Sequence, residues 1–200
     1  MIAQALAFLI DTVGTLLLIA LLLRFWLQAA RAPYNNPVSG FLAAITDWGV
    51  RPLRKVVPGL WGLDLATLTL AWLIAWLLNF VLGFGLRALD PAFDGGAGLG
   101  ASLAGSLGIA ALVAMVQLTR LFLYMLIGAV ILQAVLSWVN PYSALSPLLD
   151  LLTRPFLRPI QARVKPISGV DLSPLILLIA CQLALILVVG GMQRVILSLG

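Results

Sequence analysis

LLTRPFLRPIQARVKPISGVDLSPL, residues 151–175, sets four cations and four prolines between two strongly apolar stretches. A near copy, AITDWGVRPLRKVVPGLWGLDLATL, occupies residues 44–68. A shift of 107 carries Thr46 onto Thr153, Arg51-Pro52 onto Arg158-Pro159, Gly62 onto Gly169, Asp64-Leu65 onto Asp171-Leu172, and Arg87 onto Arg194. Self-similarity over such a distance marks an internal repeat, so two copies of one helix, basic loop, helix unit make up the chain.

The surroundings of the repeat say where it sits. The chain is 62% hydrophobic and 10% charged, with a mean hydropathy of +1.13, too apolar to face water as a soluble domain. Four apolar segments, about 5–30, 65–86, 109–139 and 172–193, can each cross a hydrocarbon core of about 30 Å as a helix. Asp64 and Arg87 bracket the second and Asp171 and Arg194 the fourth, each pair enclosing 22 residues. The carboxylate stands at the N-terminal end and the guanidinium at the C-terminal end, as a helix dipole favours. The N-terminal stretch reads as a retained helix, since Asp11 stands where a signal peptide would be basic.

The fold expected is therefore an all-α membrane protein of four transmembrane helices, arranged as two parallel repeats with amphipathic interfacial loop helices. The first repeat covers 1–93 and the second 109–200, with a Gly-rich linker at 94–108. In DPAFDGGAGLGASLAGSLG (90–108), the small residues Gly96, Gly100, Ala104 and Gly108 recur every fourth position and suit close helix contact better than phosphate binding. Whether 97–118 forms a separate helix or opens the third span stays open. A parallel repeat puts both basic loops on one side. Arg24, Arg31, Arg51, Arg54, Lys55, Arg154, Arg158, Arg163 and Lys165 lie there, against Arg87, Arg120 and Arg194 on the other. That bias orients the loops to the cytoplasm and both termini outward.

Within the second loop (147–165), Asp150, Arg154, Arg158, Gln161 and Lys165 share one helical face, and Leu148, Leu149, Leu152, Phe156 and Ile160 the other. The first loop (38–57) sets Asp47, Arg51, Arg54 and Lys55 against Val38, Phe41, Leu42, Ile45, Trp48, Leu53 and Val56. The internal prolines predict two short helical pieces joined at Arg-Pro in each loop. Two uses of the loops stand side by side. They are topology determinants and headgroup anchors, or a docking surface for anionic lipid or a membrane or cytoplasmic protein, carried by Arg51, Arg54, Lys55, Arg154, Arg158, Arg163 and Lys165. Asp64 and Asp171 are expected to cap the even helices, and a loop arginine can close onto such a cap.

Asp11, Arg24, Asn79, Gln117, Arg120, Gln133 and Gln182 fall within or beside the spans. A shift of 109 sets Arg120 level with Asp11 and Gln133 level with Arg24, so Asp11 and Arg120 are expected to neutralise each other. These groups serve as interhelical hydrogen bonds, or, in the alternative reading, Asp11, Asn79, Arg120 and Gln182 line a path in an oligomeric cation channel or transport accessory. With no His, no Glu and the lone Cys181, no metal-ligand set, catalytic triad, disulfide or cofactor site is expected. Nucleic acid is not expected as a partner, because no soluble binding domain accompanies the basic stretches.

The stretch 140–182 resembles the YggT family, called YlmG in Gram-positive bacteria. Asn140-Pro141, the block Thr153 to Pro159, Pro166, and Gly169 to Pro174 carry the likeness, and Asn36-Pro37, Thr46, Arg51 to Arg54, Pro58 and Gly62 to Leu65 repeat it. The first copy departs at Asp47-Trp48 and at Ala66-Thr67. The resemblance implies a small bacterial inner-membrane protein, from a family linked to division genes and to osmotic and potassium stress. Plastid and cyanobacterial relatives are linked to cytochrome b maturation and to nucleoid or division organisation. It implies no enzyme activity and no cofactor.

Overall fold

The computed structural model describes residues 2–33, 36–59, 62–85, 103–140, 143, 145–164 and 171–197. Among these, the regular structure is helical: α1 (Ile2–Ala29), α2 (Pro37–Leu53), α3 (Leu65–Phe80), α4 (Leu103–Val139), α5 (Ser146–Gln161), α6 (Ser173–Ala184) and α7 (Gly190–Leu197). A π-helical turn, Val81–Gly85, prolongs α3, and another, Leu185–Val189, joins α6 to α7. Four helical stretches are long and apolar enough to span a membrane, Ile2–Ala29, Leu65–Gly83, Leu107–Ser137 and Ser173–Ile196. The four expected spans are these.

The third span is one continuous helix of 37 residues. Residues 103–118 therefore open it and form no separate re-entrant piece. Gly108 is not a site of close approach, because a methyl there would meet nothing within 4 Å. Gly96 and Gly100 lie outside the described residues, as does the side chain of Ala104.

Tight packing falls instead at Gly14 on α1, where a methyl group would run into the Leu78 side chain of α3. Leu18, Leu21, Ala71, Ala75 and Ala114 complete a buried seam of α1, α3 and α4. Lipid is as apolar as leucine, so small residues and close contact hold such helices together more than burial from water does. Gly14→Ile is expected to cost about 1–3 kcal/mol by overpacking. Gly128→Ala, at a helical position where the new methyl meets nothing within 4 Å, should leave the thermal midpoint in detergent unchanged or raised.

The two loop helices lie at the same end of the bundle. Trp26, in the last turn of α1, packs on Phe122 of α4 with ring centroids 5.2 Å apart and on Phe156 of α5 at 6.4 Å. Leu42 of α2 and Leu149, Leu152 and Leu157 of α5 belong to the same buried cluster. The apolar face of α5 thus packs on the spans.

Against expectation, the prolines do not split the loop helices at Arg-Pro. α5 runs unbroken through Pro155 and Pro159, and α2 keeps Pro52 in its last turn. All three prolines are exposed, so the carbonyls they leave unbonded sit on the outer side, where water and headgroups can serve them. Burial of Leu149, Leu152, Thr153 and Leu157 on the inner side holds the helix together.

After α1 the chain turns through Arg31 in the left-handed region, at φ 54°. The Ala32 amide donates to the Leu27 carbonyl and the Arg31 amide to that of Gln28, both at 2.9 Å, closing the helix end. Glycine is the usual residue at such a position, and a side chain there costs about 1–2 kcal/mol. Gly62, at φ 82°, makes the corresponding turn before α3.

Candidate functional site

Each loop helix is tied to the spans by two polar latches, and the repeats build them from different side chains. In the first repeat Arg24, buried near the end of α1, donates to Thr46 Oγ1 at 2.6 Å and pairs with Asp47 at 2.8 Å. Asp47 also holds Arg51, one turn further on, at 2.7 Å. In the second repeat the same place is taken by Gln133 of α4. Its Oε1 accepts from the fully buried Thr153 Oγ1 at 2.6 Å, and its Nε2 donates to Asp150. Threonine suits both sites because its hydroxyl also reaches its own helix: Thr46 donates to the Leu42 carbonyl, and Thr153 shares its one hydrogen between Gln133 and the Leu149 carbonyl.

The second latch joins the end of the loop helix to the start of the next span. Arg54 donates to Asp64 through Nη2 and through Nε, the latter at 3.2 Å, and Thr67 Oγ1 donates to the same carboxylate at 2.6 Å. At the equivalent positions of the second repeat, Gln161 Nε2 donates to Asp171 at 2.8 Å. Both latches therefore use arginine in the first repeat and glutamine in the second.

Asp64 is the N-cap of α3, accepting from the Thr67 amide. Asp171 is not the N-cap of α6: Leu172 holds that position, and Asp171 accepts from the Ser173 amide at 2.8 Å. The cause is local. Where the first repeat has Thr67 the second has Pro174, which has no amide hydrogen, so the Asp171 carboxylate serves the start of α6 through the Ser173 amide instead.

These contacts change what the basic loops offer. Arg24 is buried in a contact between α1 and α2 and faces neither lipid nor cytoplasm, and Arg51 and Arg54 are ion-paired. Lys55, Arg154, Arg158 and Arg163 are exposed and, among the described residues, enter no ion pair; Lys165 lies outside the described residues. Arg154 stands where the first repeat has Asp47, so the second loop helix gains a cation where the first spends a carboxylate. The helices also differ in aromatic residues: Trp48 on α2 is 65% exposed, whereas Phe156 on α5 is enclosed by Trp26 and Phe122.

The polar residues of the spans do not gather. Asn79 donates to Gln117 Oε1 at 2.6 Å across α3 and α4. Asp11 and Gln182 are exposed, and Arg120 is half-buried. Asp11 and Arg120 do not pair. α1 meets α4 through Trp26 and Phe122, and Leu18 and Leu22 share a cluster with Ala114 and Leu118. That register is offset by 96 residues instead of 109, which sets Arg24, not Asp11, beside the Arg120 turn.

Burial raises the Asp47 carboxyl, but the hydrogen bond and charge of Arg24, with help from Arg51, outweigh it and hold the group below its ordinary 3.8. Burial likewise raises Asp64, and Arg54 and Thr67 overcome it in the same direction. A carboxyl depressed by folding adds stability above its unfolded value and loses it as pH falls through the folded one. The thermal midpoint in detergent should therefore be flat above about pH 5 and fall below it. Arg24→Gln should make that acid limb shallower.

A helical membrane protein with four apolar spans, built as two repeats that each carry an amphipathic basic helix at one end, is the class these features define. The chain belongs to the CCB3/YggT family, whose profile matches residues 3–85 and 112–192, one match per repeat. It is 36% identical over 187 residues to an uncharacterized protein of Pseudomonas aeruginosa, PA0392, covering 92% of this chain and 88% of that one. It is 32% identical to a protein of Vibrio alginolyticus from the proC 3′ region, over 90% of this chain and 91% of the other. Against the YggT protein of Escherichia coli K12 the identity is 30%, covering 88% and 85%. No solved structure matches the chain.

Among the residues important to this architecture, the sequence reading passed over Thr46, Asp47, Asp150 and Thr153 as latch partners. The recurrence of Thr46 at Thr153 and of Arg24 at Gln133 was the available signal.

Proposed function

We propose that the protein is a non-enzymatic scaffold or assembly factor of the bacterial inner membrane. Its loop helices face the cytoplasm, both termini lie outside, and the basic faces dock anionic lipid or the acidic surface of a membrane or cytoplasmic protein. The observation that carries this reading is the exposed pair Arg154 and Arg158 on a helix whose other face is fixed to the spans, followed by the exposed Arg163 just past its end, none of the three in an ion pair among the described residues. A charged row on a rigid support keeps its geometry without a partner, which lowers the ordering cost of binding. Arg51, Arg54 and Lys55 contribute a weaker second face, because Asp47 and Asp64 offset two of them.

The test is photo-crosslinking in native membranes from Ala162 and Trp48, both exposed. The reading predicts a discrete protein adduct at Ala162 that disappears when Arg154, Arg158 and Arg163 are all replaced by glutamate. Adducts that are indifferent to that reversal would refute it.

A further inference from the structure

A cleft of about 550 Å³ opens between the end of α1 and the turn that leads from α2 into α3. Gln28, Arg31, Arg54 and Asp64 line it together with Gly59 and Gly62. We infer that this cleft binds a phosphate ester group, with the Arg31 guanidinium as its principal contact. The site is separate from the α5 face, and it stands or falls independently of the scaffold reading.

Three observations lead there. Arg31 is the non-glycine residue that the chain holds at positive φ among those described, and among the described residues its side chain has no hydrogen bond or ion pair that offsets that conformation. It is exposed and directed to a cleft of a size that suits a small ligand, about 300–1,000 Å³. Asp64 fixes the neighbouring Arg54 through Nε and Nη2, so one guanidinium is preset and its carboxylate partner already engaged. Two guanidiniums against one carboxylate leave the cleft with a net positive charge.

Guanidinium forks match phosphate oxygens in geometry and stay charged at any physiological pH. The two glycines let a ligand approach backbone closely. The cleft lies where two spans end on the side of the basic helices, the depth of lipid headgroups. In the second repeat the position of Arg54 is the neutral Gln161, so the pair of guanidiniums belongs to the first repeat alone.

Arg31→Gly separates binding from folding, because glycine relieves the backbone at φ 54° while removing the guanidinium. Arg31→Asn, which also tolerates that conformation, is the second variant. Purified full-length protein would be stripped with detergent. Retained phosphatidylglycerol would be counted by native mass spectrometry, and inorganic phosphate and glycerol 3-phosphate titrated separately. The expected result is that both variants melt at or above the wild-type temperature and lose at least about fivefold in binding of one probe class, a loss of about 1 kcal/mol. Loss confined to phosphatidylglycerol assigns the phosphate to a lipid, and loss confined to the soluble probes assigns it to a cytoplasmic ester. Equal binding by wild type and both variants, or no binding of any probe by wild type, would overturn the inference.

Discussion

Arg24→Leu is expected to destabilise the protein by about 2–3 kcal/mol, the larger part of it from leaving Asp47 without its buried partner. Removing one member of a buried ion pair costs about 3–5 kcal/mol. The lower figure applies because the Asp47 side chain keeps 23% exposure and retains Arg51. Gln133→Leu removes a neutral hydrogen bond to the buried Thr153, worth about 1 kcal/mol, together with an exposed one to Asp150 that water can replace. The two repeats should therefore respond unequally to the same kind of substitution at the same place. Thermal or denaturant unfolding in detergent reads the difference, and a double-mutant cycle between Arg24 and Asp47 isolates the pair. Equal small losses at Arg24 and Gln133 would show that the buried pair adds nothing beyond shape.

The second large effect concerns binding. Replacing Arg154, Arg158 and Arg163 together by glutamine should weaken association with an anionic surface by about 3 kcal/mol, at about 1 kcal/mol for each cation. That is roughly a hundredfold in affinity. Stability should stay within about 0.5 kcal/mol of wild type, because the three side chains are exposed and make no ion pair among the described residues. The same replacement at Arg51 and Arg54 should behave in the opposite way. It opens the Asp64 latch and removes the Arg51–Asp47 pair within α2, so stability falls while the loss in binding is smaller. The effect at α5 should also shrink with salt, as long-range attraction between exposed charges is screened.

The spans were legible because length and apolar content decide them, and the repeat because Thr46, Arg51-Pro52 and Asp64 recur at one fixed offset. Asp64 as a cap was legible for the same reason; Asp171 also serves the start of its helix, but through the Ser173 amide, because the proline three residues on has no amide hydrogen to offer. The unbroken α5 escaped a reading based on its prolines, because the decisive quantity, burial of Leu149, Leu152 and Leu157 on the opposite face, depends on tertiary packing. The pairing of Arg24 with Asp47 crosses two helices and also needed the fold. The register of α1 on α4 was the least legible feature. Lipid and protein accept the same apolar side chains, so little in the sequence tells the packed face of a span from the lipid-facing one.

Everything proposed for the basic helices requires that both repeats insert in the same direction and present α2 and α5 to the cytoplasm. Single cysteines at Lys55, Arg163 and Ile2, each in a background where the buried Cys181 is replaced by alanine, test this directly with a membrane-impermeant maleimide. The prediction is that Lys55→Cys and Arg163→Cys react only in inside-out vesicles and Ile2→Cys only in intact spheroplasts. Reaction of Lys55→Cys and Arg163→Cys from opposite faces of the membrane would contradict the parallel repeat, and with it a shared docking end.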